Sequence, residues 1–184
     1  MLIKRVVFVC LSMVIAYFFI DLTLDIIRTY NYDFKVGESL VVAFLANIYG
    51  IGIFAFVGFV LPTSKLLPAS YFTIKNADQL KSVYRILGVS YFRYLLLLFF
   101  WGSKKNRKKY FNGTRSGLTN FIYQSHQSEF GHLGGFVLLM LVFGIMVVKQ
   151  FWLMAFFTLI INGFGNFYPI VLQRYHRIRI ERIS

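Results

Sequence analysis

Four uncharged apolar runs restrict what this chain can fold into. They cover Val6–Ile20, Leu40–Leu61, Leu133–Val148 and Phe151–Leu172. A helix needs about 20 apolar residues to cross a bilayer, and the second and fourth runs have that length. The third is shorter, so Phe130 must enter the span or the bilayer must thin around it. With 58% hydrophobic and 15% charged residues, a soluble domain could not keep so much apolar surface from water. The expected class is an all-α integral membrane protein with about four transmembrane helices, in one domain over residues 1–184. The spans are placed near 6–22, 40–61, 131–148 and 151–172.

The first run follows Lys4 and Arg5. It is short enough for a signal-peptide core, but Asp21 and "LTLDII" stand where a small-residue cleavage site would be. A retained anchor helix is expected. Cys10 lies in this run, offers no disulfide framework, and is expected to pack. Gly50, Gly52 and Gly58 in the second run allow close helix approach. Between the second and third runs, Tyr94–Trp101 is too short to span. Arg93 precedes it and "KKNRKK", Lys104–Lys109, follows it. An interfacial or re-entrant helix near 84–101 fits, entering and leaving on one side.

The net charge of +13 does not point to nucleic acid, because basic loops beside apolar spans are the positive-inside signal. With the first span starting inside, Arg28, Lys35 and Lys149 are the only basic residues left outside, out of twenty. Both termini are therefore expected in the cytoplasm.

Two polar stripes break the apolar pattern. Leu118, Ile122, Ser125, Glu129 and His132 share one helical face in "GLTNFIYQSHQSEFGH". Glu129 stands one turn before His132, so a carboxylate can orient an imidazole as a general base. A solvated ion pair at a helix end is the plainer alternative. From the fourth run into its basic flank, Asn162, Asn166, Pro169, Gln173 and Arg177 form a second stripe. Pro169 has no N–H to give the Gly165 carbonyl, and Gly163 and Gly165 weaken the same turn. Amides at that depth need partners, although arginines alone would suit a membrane-helix flank.

Counting brings the stripes to one level. His132 lies seventeen residues before Lys149, and Asn166 lies sixteen after Gln150. With a tight turn at Lys149–Gln150 and ~1.5 Å rise per residue, both sit about 25 Å from the turn. Glu129, His132, Asn166 and Gln173 should gather near the cytoplasmic leaflet, where convergent polar groups mark a site.

The stretch "NFYPIVLQRYHRIR", Asn166–Arg179, resembles the C-terminal signature of the glycosyl-4,4'-diaponeurosporenoate acyltransferase family. Asn166, Pro169, Ile170, Gln173, Arg174, Tyr175, Arg177 and Arg179 match it, while His176 stands where the family usually has Asn. The family's upstream Glu-x-x-His is matched by Glu129 and His132, and "LGVSYFR", Leu87–Arg93, is similar to its aromatic and basic middle segment. The resemblance covers about Tyr84 to Arg179. It implies an enzyme of bacterial cell membranes that esterifies a sugar hydroxyl on a carotenoid glycoside, late in staphyloxanthin-type pigment synthesis, or acts on a related glycolipid. The expected partners are the bilayer, that acceptor, and a thioester donor, either acyl-coenzyme A or acyl-carrier protein. No other cofactor and no metal is expected, since one Glu-x-x-His pair supplies too few ligands.

Under that resemblance His132 is the expected base, with Glu129 fixing its tautomer. Asn166 or Gln173 would donate to the oxyanion. Arg174 and Arg177, with Arg179 beside them, would hold the donor's phosphates or an acidic headgroup. "KKNRKK" suits either donor attraction or anionic lipid, and His126 is expected to face solvent. Two other classes carry similar spans and basic loops: a non-catalytic membrane subunit, and a membrane methyltransferase or reductase of lipids.

Overall fold

A computed structural model describes residues 2–30, 32–99 and 115–181 of the chain. The "KKNRKK" run, Phe100 and Trp101 lie outside the described residues. Among the described residues all regular structure is helical. The helices are α1 (Leu2–Arg28), α2 (Val36–Gly58), α3 (Ala69–Phe72), α4 (Ala77–Ile86), α5 (Val89–Phe99), α6 (Arg115–Val148), α7 (Trp152–Asn162) and α8 (Tyr168–Glu181). A 3₁₀ turn at Thr63–Leu66 precedes α3, and a π-helical turn at Gly163–Phe167 joins α7 to α8. Four stretches are long and apolar enough to cross a membrane: Leu2–Arg28, Val36–Gly58, Gly117–Val148 and Trp152–Ile178. The protein is an all-α membrane protein.

The chain divides into two compact units. One takes Met1–Thr63 and Phe130–Phe167, the other Ser64–Glu129 and Tyr168–Ser184. In the first, α1 and α2 form an antiparallel pair. Ser12 Oγ donates to the Ile53 carbonyl at 2.8 Å, satisfying a hydroxyl that lipid could not. Glu38 closes the start of α2 by accepting from the Lys35 N–H at 2.9 Å, which also places an anion at the positive helix end. Phe19, Ile26, Ala46, Leu139, Val142, Met146, Met154 and Ala155 make the core. A Cβ on Gly50 would come within 3.1 Å of Leu139 Cγ, so this expected close approach of helices is present. Cys10, expected to pack, is exposed on α1. It lies on a helix whose flank carries Val6, Val7, Met13 and Val14 exposed, the composition of a lipid-facing surface.

The expected turn at Lys149–Gln150 is tight. The Phe151 N–H reaches back to the Met146 carbonyl at 2.9 Å, and the Gln150 N–H to Val147 at 3.0 Å. Those two bonds make a Schellman closure, with Gln150 in the left-handed position at φ 62°. Lys149 Nζ donates to the Ile27 carbonyl at 2.6 Å and lies 3.4 Å from the Tyr30 ring centre. It thereby satisfies an end carbonyl of α1.

The second unit holds α3, α4, α5, α8 and the first part of α6. The single helix expected near 84–101 is two helices, α4 and α5, bent by 68°. Gly88 causes the break by adopting φ +67°, a conformation that side chains resist. Tyr168 Oη donates to the Leu87 carbonyl at the break, at 2.9 Å, and its ring meets Phe92 at 4.9 Å. The amphipathic helix and the third span, read apart in the sequence, form one element, α6: nothing in "GHLGG" turns the chain. The fourth span also runs further than expected, to Ile178. The π turn stands just ahead of Pro169, whose missing N–H and bulky ring disfavour an unbroken α-helical ladder there.

Candidate functional site

In the first unit, α6 presents His132 and the π turn presents Asn166. His132 Nδ1 lies 3.2 Å from Asn166 Oδ1. The orientation of that amide is set by a further bond, because Asn166 Nδ2 donates to Asn162 Oδ1 at 2.9 Å. Asn162 Nδ2 in turn donates to the Phe136 carbonyl at 3.2 Å. Both asparagines are fully buried. With Oδ1 as the acceptor, the network assigns the proton to Nδ1 and leaves the lone pair of the neutral ring on Nε2. Pro169 leaves the Gly165 carbonyl, next to Asn166, without its i+4 donor.

Gly135 makes room for this chain of amides. A Cβ there would lie 3.0 Å from Asn166 Oδ1 and 3.4 Å from its Cγ. Neither Gly135 nor Asn162 is among the site residues expected from sequence. The signals were available: Asn162 is one turn before Asn166, and Gly135 is one turn after His132.

The second unit contains a different polar cluster. Glu129 is wholly buried, and Arg174 Nε donates to its Oε1 at 2.8 Å. Arg177 Nη1 is in ion-pair contact with Oε2, without hydrogen-bond alignment. The same Nη1 reaches Ser125 Oγ at 3.5 Å. Aromatic rings cover the guanidinium groups. Tyr71 lies 4.7 Å from Arg174, and Phe72 lies 5.5 Å from Arg177. Burial, and then the Glu129 carboxylate, push the Tyr71 hydroxyl above the usual tyrosine range, outweighing the arginine beside it. His126, expected in solvent, stacks on Phe72 with ring centres 3.9 Å apart. Its face finds an aromatic partner fifty-four residues away in the sequence.

The expected residues therefore divide. His132 and Asn166 meet at the common depth that counting from the turn gives them. Glu129, expected to orient His132, engages Arg174 and Arg177. A helical side chain leans toward the helix N-terminus, and Arg177 spans that direction by touching both Ser125 and Glu129. Gln173, expected as an oxyanion donor, gives its Nε2 to Ser128 Oγ at 3.2 Å. Arg179 is on α8, but its side chain lies outside the described residues. His176 sits edge-on to Phe121 at 6.0 Å. Among the described residues no three His, Cys, Asp or Glu side chains gather as a metal site.

The profile of a family described as glycosyl-4,4'-diaponeurosporenoate acyltransferase matches residues 68–184. No curated protein and no solved structure matches the chain.

Proposed function

Because this chain belongs to the glycosyl-4,4'-diaponeurosporenoate acyltransferase family, we propose that it moves a fatty acyl group from a cytoplasmic thioester to a sugar hydroxyl of a carotenoid glycoside, with His132 as general base. Family membership makes the chain an acyltransferase and sets aside the subunit and methyltransferase readings. The observation that carries the site is the His132–Asn166 contact at 3.2 Å.

Asn166 takes the role that the sequence suggested for Glu129. Its Oδ1 accepts from Nδ1, so Nε2 presents its lone pair to the acceptor hydroxyl. As that oxygen attacks the thioester carbon, Nε2 takes its proton. The tetrahedral intermediate then collapses, the C–S bond breaks, and the imidazolium returns the proton to the departing thiolate. Asn162 holds Asn166 through the rotation-fixing bond to its Nδ2. A group locked this way loses little freedom when the substrate arrives. Both termini in the cytoplasm and a site at the inner leaflet follow from the placement of the basic residues. Glu129 serves as the anchor for α8 through its two arginines.

The test is a pigment and lipid extract from cells carrying the wild type, His132→Ala or Asn166→Ala at equal protein levels. Either substitution should cause a hydroxyl-bearing glycoside to accumulate, lighter than the product by one fatty acyl group. Normal product in His132→Ala cells would end the proposal.

A further inference from the structure

The Glu129 cluster does not balance. Two guanidinium groups face one carboxylate, so the buried group keeps one positive charge. Arg177 is only 4% exposed, and its Nε and Nη2 have no hydrogen-bond partner. Buried donors left this way are uncommon and costly, and an uncompensated buried charge costs more.

Which donors are left matters. Nη1 is spent on Ser125 and Glu129. Nε and Nη2 together form the side-on fork of the guanidinium, whose two N–H bonds run nearly parallel and match two oxygens of one oxyanion. The Phe72 ring centre lies 5.5 Å from Arg177 Cζ, so the cover on that side of the group is apolar and gives the fork no acceptor. Arg174, at 29% exposure, connects the cluster to the protein surface.

We infer that the free fork of Arg177 is the seat of a phosphate group carried by a ligand of this enzyme. The inference rests on the acyl-transfer reading for its choice of phosphate over other oxyanions: coenzyme A, the carrier-protein prosthetic arm and anionic lipids all present one. Ser125 and Glu129 hold the guanidinium so that the fork does not turn away. Glu129 also offsets one of the two positive charges, so a single bound anion brings the cluster to neutrality.

The test measures binding and needs no turnover. Coenzyme A without an acyl chain is titrated into the purified protein in neutral detergent. In a second arm, the protein is placed in nanodiscs of phosphatidylcholine with increasing phosphatidylglycerol. Each arm compares wild type, Arg177→Gln and Arg177→Lys. The lysine variant keeps the charge against Glu129 and loses the fork, so it separates ligand loss from unfolding. Expected is binding to the wild type that weakens about tenfold or more in both variants. A response in the first arm assigns the phosphate to the donor, and one in the second assigns it to a lipid headgroup. The inference falls if the wild type responds in neither arm, which leaves buried water as the partner of the fork, or if Arg177→Lys binds as tightly as the wild type. Coenzyme A binding without any acyl product would instead count against the acyl-transfer reading alone.

Discussion

The imidazole of His132 and the amide of Asn166 are separated by thirty-four residues of chain and meet at 3.2 Å. One is carried by α6 and the other by a π-helical turn. Between them the chain passes through a Schellman turn that returns it antiparallel.

Removing the base should abolish acyl transfer with the protein still folded. His132→Ala is expected to lower the turnover rate by about 10²–10⁴-fold, the range for a lost general base. Asn162→Ala acts only through Asn166. It should lower the turnover rate less and leave the KM for the donor near that of the wild type, while Asn162→Ser, which keeps an acceptor oxygen, recovers part of the rate. Steady-state kinetics on purified protein separate the two effects.

Gly135→Ala should be more damaging than its size suggests. The added Cβ would press on Asn166 Oδ1 from 3.0 Å and displace the amide from the histidine. Gly131, one turn earlier, has nothing within 4 Å of such a Cβ. Gly131→Ala is therefore expected to keep full activity and to gain up to about 1 kcal/mol from helix propensity. Equal activity in the two variants would show that the amide position does not matter.

Glu129→Ala leaves two arginines facing each other in a buried place. A loss of about 3 kcal/mol or more is expected, read as a lower melting temperature in detergent. Arg174→Ala should cost clearly less, because that side chain is partly exposed and its pair is screened. The double variant Glu129→Leu with Arg177→Met should be less destabilised than the sum of its singles, since the two groups interact directly.

Gln150→Gly should stabilise the protein by about 1 kcal/mol. Glutamine holds φ 62° at the Schellman turn, a conformation that L side chains adopt at a cost and glycine adopts freely. A lower melting temperature in that variant would show that the Gln150 side chain makes a contribution larger than the backbone strain.

Much of this was legible in the chain. The four apolar runs set the helices, and a fixed rise per residue from the Lys149–Gln150 turn set the level at which His132 and Asn166 would lie. Hydropathy and helical pitch are local properties, so the sequence alone determined the class of protein and that coincidence of depth. It also carried the Asn166–Arg179 stretch, which lies within the residues that match the family. Other features needed neighbours that no spacing rule names. The break between α4 and α5 depended on Gly88 adopting a left-handed φ, which a glycine permits and does not require. Glu129 had a histidine one turn along its own helix and took Arg174 and Arg177 instead. A buried carboxylate is bound most strongly by the cations that tertiary packing brings to it. Depth along a helix follows from counting residues, whereas the partner at that depth depends on how helices rotate and pack, and only the tertiary structure decided that.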